Sequence, residues 1–268
     1  MRSGLFGEIT TSLGDKEWPQ DVGLYRSLEE QEILVDKAKC YVVKAFLYIH
    51  NVLNQTREYR RINARDMCVK KDTLPFLQVL NTIVGEDDFL YFLNQKDLDL
   101  DCNLPVEKIL FINGLISIIK TKLIPIELYA LWMVGANKKK TLDCYGFGHP
   151  EPLKKMLCYQ KCKEVEQFLK IAGYFNKSKA QVITELSKIL DLFAKKLEKN
   201  KYISGNEISN ADVFIYGHIQ AILESKLDDN FLLETLKNFP ILEKFCISFS
   251  HNNLGNQSLL GSIFEDCA

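Results

Sequence analysis

Among the 268 residues, eight cysteines and four histidines offer the most chemistry. Cys158 and Cys162 stand one helical turn apart in Cys-Tyr-Gln-Lys-Cys. Cys40, Cys68, Cys102, Cys144, Cys246 and Cys267 are spread without period, and His50, His149, His218 and His251 are scattered. A tetrahedral zinc site wants a second pair of thiolates or nearby imidazoles, so neither a metal nor another cofactor is expected. Cys40 invites one further reading, because a helix N-terminus lowers a thiol pKa and makes a nucleophile. The spacing puts it about four residues into a helix, past the turn where the dipole acts. The chain contains no Gly-x-Gly-x-x-Gly, no P-loop, no His-Glu-x-x-His and no Gly-x-Ser-x-Gly. His149 and His218 read as structural. Lys138-Lys139-Lys140 and Lys154-Lys155 read as solvated faces, with anionic lipid headgroups as their functional alternative.

Composition narrows the class. Hydrophobic residues are 47% and charged residues 26% of the chain, the mix of a globular protein able to bury a full core. A formal net charge of -1 leaves no polybasic field for nucleic acid. Residues 1–105 carry 13 basic and 17 acidic side chains, while residues 106–268 carry 21 lysines, 18 carboxylates and no arginine. Lack of arginine in the second part weakens a nucleic-acid role further. The first 20 residues show no apolar core of a secretory signal, and unpaired thiols fit a reducing compartment. The run 109–119 is about half of what a bilayer span needs, and the stretch 123–136 contains Pro125 and Glu127. Both are expected to be core helix, with no spanning segment and no tail anchor. Cys267 does not sit in a prenylation box.

The elements that must position these residues fall into two groups. Residues 32–35 suggest a strand, and Asp36 a cap for a helix with Ala38, Tyr41, Val42, Ala45, Phe46 and Ile49 on one face. Residues 56–62 suit an edge strand, 73–80 a buried strand opened by a proline, and 82–84 a short strand. Glu86-Asp87-Asp88 favours a helix start. Residues 97–105 read as a linker, and from Pro105 the pattern is helical throughout. Residues 106–135 form an apolar segment with a break expected at Pro125. Helices follow over 153–173, 178–199 and 209–224, and a last one opens at Pro240.

Two motifs sharpen the fold. Leu74-Pro75 precedes a buried strand after a strand–helix–strand unit, where thioredoxin-like folds keep a cis-proline. In Gly205-Asn206-Glu207-Ile208-Ser209-Asn210-Ala211-Asp212, Ser209 is the expected cap and Asp212 its reciprocal partner, with Ile208 and Val213 as a hydrophobic staple. This box resembles one in the helical domain of the glutathione-transferase fold. The expected architecture is an α/β thioredoxin-like N-terminal domain (23–96) and an all-α C-terminal domain (106–250). A linker (97–105), an N-terminal extension (1–22) and a tail (251–268) complete it. The structural residues to watch are Pro75, Ser209 and Asp212. A glutathione-using enzyme of this fold needs a hydroxyl or thiol just after its first strand, but residues 35–40 offer only Cys40. It also holds the γ-glutamyl end with an acid or amide followed by serine, and the chain has Gly85-Glu86-Asp87-Asp88 there.

A closer resemblance runs from about residue 5 to residue 250. It is carried by Trp18-Pro19, Leu24-Tyr25 and Glu29-Glu30-Gln31-Glu32-Ile33-Leu34, then by Glu127-Leu128-Tyr129-Ala130-Leu131-Trp132. Tyr145-Gly146, Pro150-x-Pro-Leu, Tyr159-Gln160-Lys161, Ala211-Asp212-Val213-Phe214-Ile215-Tyr216-Gly217-His218 and residues 242–246 complete it. In this order they resemble the metaxin family, in its type without a membrane tail. The resemblance implies a non-enzymatic subunit on the cytosolic face of the mitochondrial outer membrane. That subunit belongs to the sorting and assembly machinery for β-barrel proteins. Its implied partners are a sister metaxin with a membrane tail, an outer-membrane barrel insertase and β-barrel precursors, with peripheral membrane association through partners. The alternatives are a glutathione-dependent enzyme using Cys40 and an adaptor for mitochondrial transport. No catalytic residue and no cofactor are implied.

Overall fold

The structure is a computed structural model that describes residues 16–67 and 74–255. Cys68, Thr73 and Cys267, and the tail beyond residue 255, lie outside the described residues. The first strand is β1 (Val22–Arg26), not residues 32–35, which form a turn and the start of a helix. β1 alternates between two environments. Val22 and Leu24 face the main core, while Tyr25 joins Leu74 and Phe76 on the opposite face. The sheet order is β2-β1-β3-β4, with β2 (Thr56–Arg60) parallel to β1, β3 (Phe76–Val79) antiparallel to it, and β4 (Thr82–Val84) antiparallel to β3. Leu24 pairs with Glu58 on one side and Leu77 on the other. The Leu74–Pro75 peptide bond is cis. On the outer face Tyr59, Tyr25 and Phe76 stack in sequence at 4.8 and 5.1 Å. A side chain at Gly23 would press against the Tyr25 and Tyr59 rings at 3.0 Å, so glycine leaves those rings their place.

Helix α1 (Leu34–Ile49) crosses from β1 to β2 and is buried on nearly all sides, with Ala38, Tyr41, Val42, Ala45 and Phe46 inward. It begins two residues before Asp36, so Asp36 lies in its first turn rather than capping it. A short α2 (Ala64–Met67) follows β2, and α3 (Glu86–Gln95) follows β4, burying Phe89, Phe92 and Leu93.

The helical part opens with a continuous helix, Val106–Trp132. It comprises α4 (Val106–Ile118), a π-turn (Ile119–Leu123) and α5 (Ile124–Trp132). The expected break at Pro125 does not occur. The Ile124 N–H bonds back to the Ile119 carbonyl five residues earlier, and this widened turn accommodates a proline that lacks a donor and would crowd the preceding turn. The helix is 27 residues long and, by length and composition alone, apolar enough to cross a bilayer. That corrects the expectation of no such segment. With 44% of its most apolar window buried inside the protein, it meets the same test that core helices pass.

The lysine run 138–140 lies on a helix the pattern did not reveal, α6 (Gly135–Tyr145). Next come α7 (Leu153–Ile171), which ends ahead of Gly173 at φ 76, and α8 (Lys179–Leu197), capped by Ser178 and Gln181. The central helix α9 (Asn210–Leu223) is followed by α10 (Phe231–Leu236) and α11 (Pro240–Asn253). α9 packs along α1 so closely that a Cβ on Gly217 would lie 2.5 Å from Val42 Cγ2 and 2.8 Å from the Ala38 carbonyl oxygen. This contact ties the helical part to the sheet part.

Candidate functional site: the cleft at the start of α1

The start of α1 opens into a cleft of about 360 Å³ between the start of α3, the π-turn, α5 and α7. Its apolar wall includes Val35, Ile124, Leu128 and Phe168, and its polar groups are Asp36, Lys39, Glu86, Lys120, Lys161 and Glu164. Five of these six charges are paired locally, and Lys120 Nζ lies 5.9 Å from the centroid of the Phe214 ring. Lys39 Nζ lies 2.6 Å from Glu86, Arg65 reaches Asp36 at 2.6 Å, and Lys161 lies 3.5 Å from Glu164. Burial alone would lower the Lys39 pKa, but the Glu86 carboxylate outweighs it and holds the ammonium above its ordinary value. Lys39 and Glu86 also line a tighter inner cavity with Pro75, Phe89, Phe214 and His218.

Behind this cavity His218 Nδ1 meets Glu127 Oε1 at 2.8 Å, with both side chains essentially sealed from solvent. Glu127 Oε2 has no hydrogen-bond partner in the protein. His218 is thus half of a buried acid–imidazole pair joining α5 to α9, consistent with its structural reading. The close approach of the two helices, not a spacing in the sequence, brings the pair together.

Cys40 lies nearly two turns into α1, fully buried and away from the cleft. Burial pushes its thiol up to about 11, against the nearby Arg26 guanidinium, which favours the thiolate. A thiol so placed is neither accessible nor ionised at neutral pH. The observed strand shift changes which residue follows β1: it is Ser27, a hydroxyl that the sequence placement of the strand missed. Ser27 is 2% exposed, and its Oγ has no hydrogen-bond partner in the protein. It does not line the cleft. Around it Arg26 is held by Glu32 at 2.5 Å and Glu58 at 3.1 Å, and Lys44 reaches Glu58 at 2.5 Å. These charges knit β1, β2 and α1 together and leave none of them for a ligand.

Ser209 and Asp212 form the capping box of α9, with Asp212 as its hub. Its Oδ2 accepts from the Ser209 N–H at 3.0 Å and from the Ser209 hydroxyl at 2.6 Å. Its Oδ1 accepts from the Ile203 N–H at 2.7 Å. The following N–H, that of Asn210, is taken by Asp101 from the segment before α4 at 3.1 Å. Burial pushes both carboxyls up to about 6 despite these donors. Pro75 lines the inner cavity, far in role from this box, so the three structural residues do not form one site. Among the described residues no group of three or more His, Cys, Asp and Glu side chains could hold a metal ion.

Comparison with known proteins agrees with this architecture. Residues 40–162 match the family described as outer mitochondrial membrane transport complex protein, and residues 186–249 match the glutathione S-transferase C-terminal domain. Metaxin-2 of Mus musculus is 29% identical over 85% of this chain and 87% of its own length. A metaxin-2 homolog of Caenorhabditis elegans is 23% identical over 82% of this chain and 97% of its own. Metaxin-1 of Mus musculus is 22% identical over 65% of this chain and 58% of its own. Among solved structures, a glutathione transferase of Streptococcus pneumoniae superposes with TM-score 0.56 at 14% identity, covering 92% of this chain and 85% of that one. A family member from Pseudomonas fluorescens gives 0.54 at 13% identity, covering 91% and 94%. At such identity these structures speak for the fold alone. A four-stranded sheet followed by a helical part, two family matches along the chain and metaxin relatives spanning most of it agree: the chain is similar to the metaxins over most of its length and has a glutathione-transferase-like fold.

Proposed function

We propose that the chain serves protein transport at the mitochondrial outer membrane as a non-enzymatic scaffold on the cytosolic face, within the machinery that inserts β-barrel proteins. The names of the relatives and of the matched family support the transport role. The scaffold role rests on one observation, a cleft in which five of the six charged lining side chains are already paired within the protein. Just after β1, where glutathione chemistry would need a thiol-activating group, Ser27 is 2% exposed and does not line the cleft. Where the γ-glutamyl end would bind, Glu86 is already paired with Lys39. Cys40 is sealed in the core.

The outer face of α4 supports work in an assembly. Val106 and Leu110 are 71% and 67% exposed on a helix that is apolar nearly all round, the pattern of a helix that expects a cover. A sister metaxin is the partner this reading assigns to that face, with the barrel insertase and barrel precursors as further members of the assembly. The test is import of a labelled β-barrel precursor into mitochondria depleted of the protein. Barrel assembly should fall while import of a matrix precursor is maintained. Unchanged barrel assembly refutes the reading. Titration with reduced glutathione, with Cys40→Ala as control, checks the enzymatic alternative. Saturable binding lost in the variant would favour it.

A further inference from the structure

We infer that the cleft at the start of α1 binds a medium-chain fatty acid, with its carboxylate on Lys120 and its hydrocarbon chain along the wall built by α5 and α7. This goes beyond the transport reading and does not depend on it. Of the six charged side chains that line the cleft, Asp36, Lys39, Glu86, Lys161 and Glu164 are taken up in ion pairs within the protein. Lys120 is the sixth. Among the described residues its ammonium has no ion-pair partner, and its ring contact is with Phe214 at 5.9 Å. The cleft therefore presents one surplus positive charge, and each carboxylate in its lining already has a cation.

The fold fixes where that charge stands. Lys120 lies in the π-turn (Ile119–Leu123), and a π-turn inside an α-helix is frequently a mark of a functional site. Lys120, Ile124 and Leu128 follow at four-residue spacing and form one ridge of the continuous helix, so the cation and the apolar wall are continuous. α7 adds Val165 and Phe168, and Phe168 is 41% exposed at the rim. Lys120 is itself half-buried, so its attraction for an anion is screened less than on an open surface.

Charge and polarity select the ligand. A volume of about 360 Å³ is that of a small-molecule site. One unpaired cation calls for one anionic group, and the lining carboxylates Asp36, Glu86 and Glu164 disfavour a second negative charge. A carboxylate therefore fits better than a phosphate monoester. The rest of the ligand must be apolar, because the other charged side chains of the lining are engaged, and further amide or hydroxyl groups would lose water without gaining partners. A peptide or a nucleotide fails both conditions. A saturated chain ending in a carboxylate meets both.

The test is isothermal titration of the purified full chain with decanoate at submicellar concentration, beside decanol and decyl phosphate. Decanoate should bind saturably, and decanol about tenfold more weakly, the factor expected for loss of one charged contact. Decyl phosphate should bind no more tightly than decanoate. Lys120→Met should weaken decanoate by about the same factor and leave decanol unchanged, while Lys120→Arg keeps most of the affinity. Leu128→Trp, which fills the cleft, should abolish binding of both. Circular dichroism and the unfolding midpoint identify a variant that has merely failed to fold. In the natural protein, nuclear Overhauser effects from the decanoate chain should reach the Phe168 ring. No saturable binding, equal affinity for decanoate and decanol, tighter binding of decyl phosphate, or affinity that survives Lys120→Met overturns the inference. So do Overhauser contacts confined to another surface. Because the readout is on purified protein, its failure leaves the barrel-assembly test untouched.

Discussion

Lys39 of α1 and Glu86 at the start of α3 form a 2.6 Å ion pair exactly where the outer cleft meets the inner cavity. The pair closes the crevice with its own charges, and each side chain is less than a quarter exposed. Removing one partner should therefore cost more than removing both. Glu86→Gln should lower stability by about 1–2 kcal/mol, since it leaves a half-buried ammonium uncompensated. Lys39→Met/Glu86→Gln should recover most of that loss. Urea unfolding of the four proteins of the double-mutant cycle gives the coupling, and strictly additive losses would show the pair to be idle.

The α1–α9 contact predicts a second outcome. Gly217→Ala forces a methyl group against Val42 and against the Ala38 backbone carbonyl. Overpacking of this kind costs about 2–3 kcal/mol. Adding Val42→Ala should relieve only part of it, because the carbonyl cannot be trimmed. Full rescue by the double variant would mean that the side-chain clash alone sets the spacing.

Thiol reactivity should follow exposure rather than position near a helix start. Cys102 is exposed, whereas Cys40 and Cys246 are buried, and burial pushes the Cys40 thiol up to about 11. In the native protein near pH 7.5, mass spectrometry of an iodoacetamide time course should find Cys102 alkylated well before Cys40. Early labelling of Cys40 would reopen the enzymatic alternative.

Asp212 predicts a pH effect of defined sign. Burial pushes its carboxyl up to about 6 from 3.8, although the Ile203 and Ser209 donors oppose the rise. The folded state then holds a proton that the unfolded chain releases. The associated stability is full below pH 3.8 and lost as pH rises through about 6. The stability of the natural protein minus that of Asp212→Asn should fall between pH 4 and pH 7, by on the order of 2–3 kcal/mol at most. The lost hydrogen bonds enter as a constant offset, so only the slope is read. A rising slope would mean that the donors outweigh burial. Ser209→Ala is expected to cost about 1 kcal/mol or more through the cap itself.

Much of the architecture was legible from local pattern. The edge strand at Thr56–Arg60, the buried strand after Pro75, the helix closed by Gly173 and the apolar α9 each carry their own signals of alternation, breaker residues or caps. The misreadings share a cause. Residues 22–26 contain Gly23 and Arg26, which weaken a strand reading, yet Gly23 is there for the stacked tyrosines and Arg26 for Glu32 and Glu58. Pro125 promised a break, and a π-turn absorbed it. Lys138-Lys139-Lys140 masked α6, because a helix of low apolar contrast leaves little periodicity to read.

By itself the sequence determined the two-part plan of a small sheet followed by helices, the box at Ser209 and Asp212, the absence of familiar catalytic motifs and the resemblance to the metaxins. These are properties of residues close together in the chain, where spacing translates directly into geometry. Tertiary structure alone decided that Lys39 meets Glu86, that Glu127 meets His218 and that Cys40 points into the core. Each of these pairings spans tens of residues and depends on the approach of α1, α5 and α9. Whether a charged side chain is a ligand-binding group or half of a closed ion pair is set by that approach, and no local pattern records it.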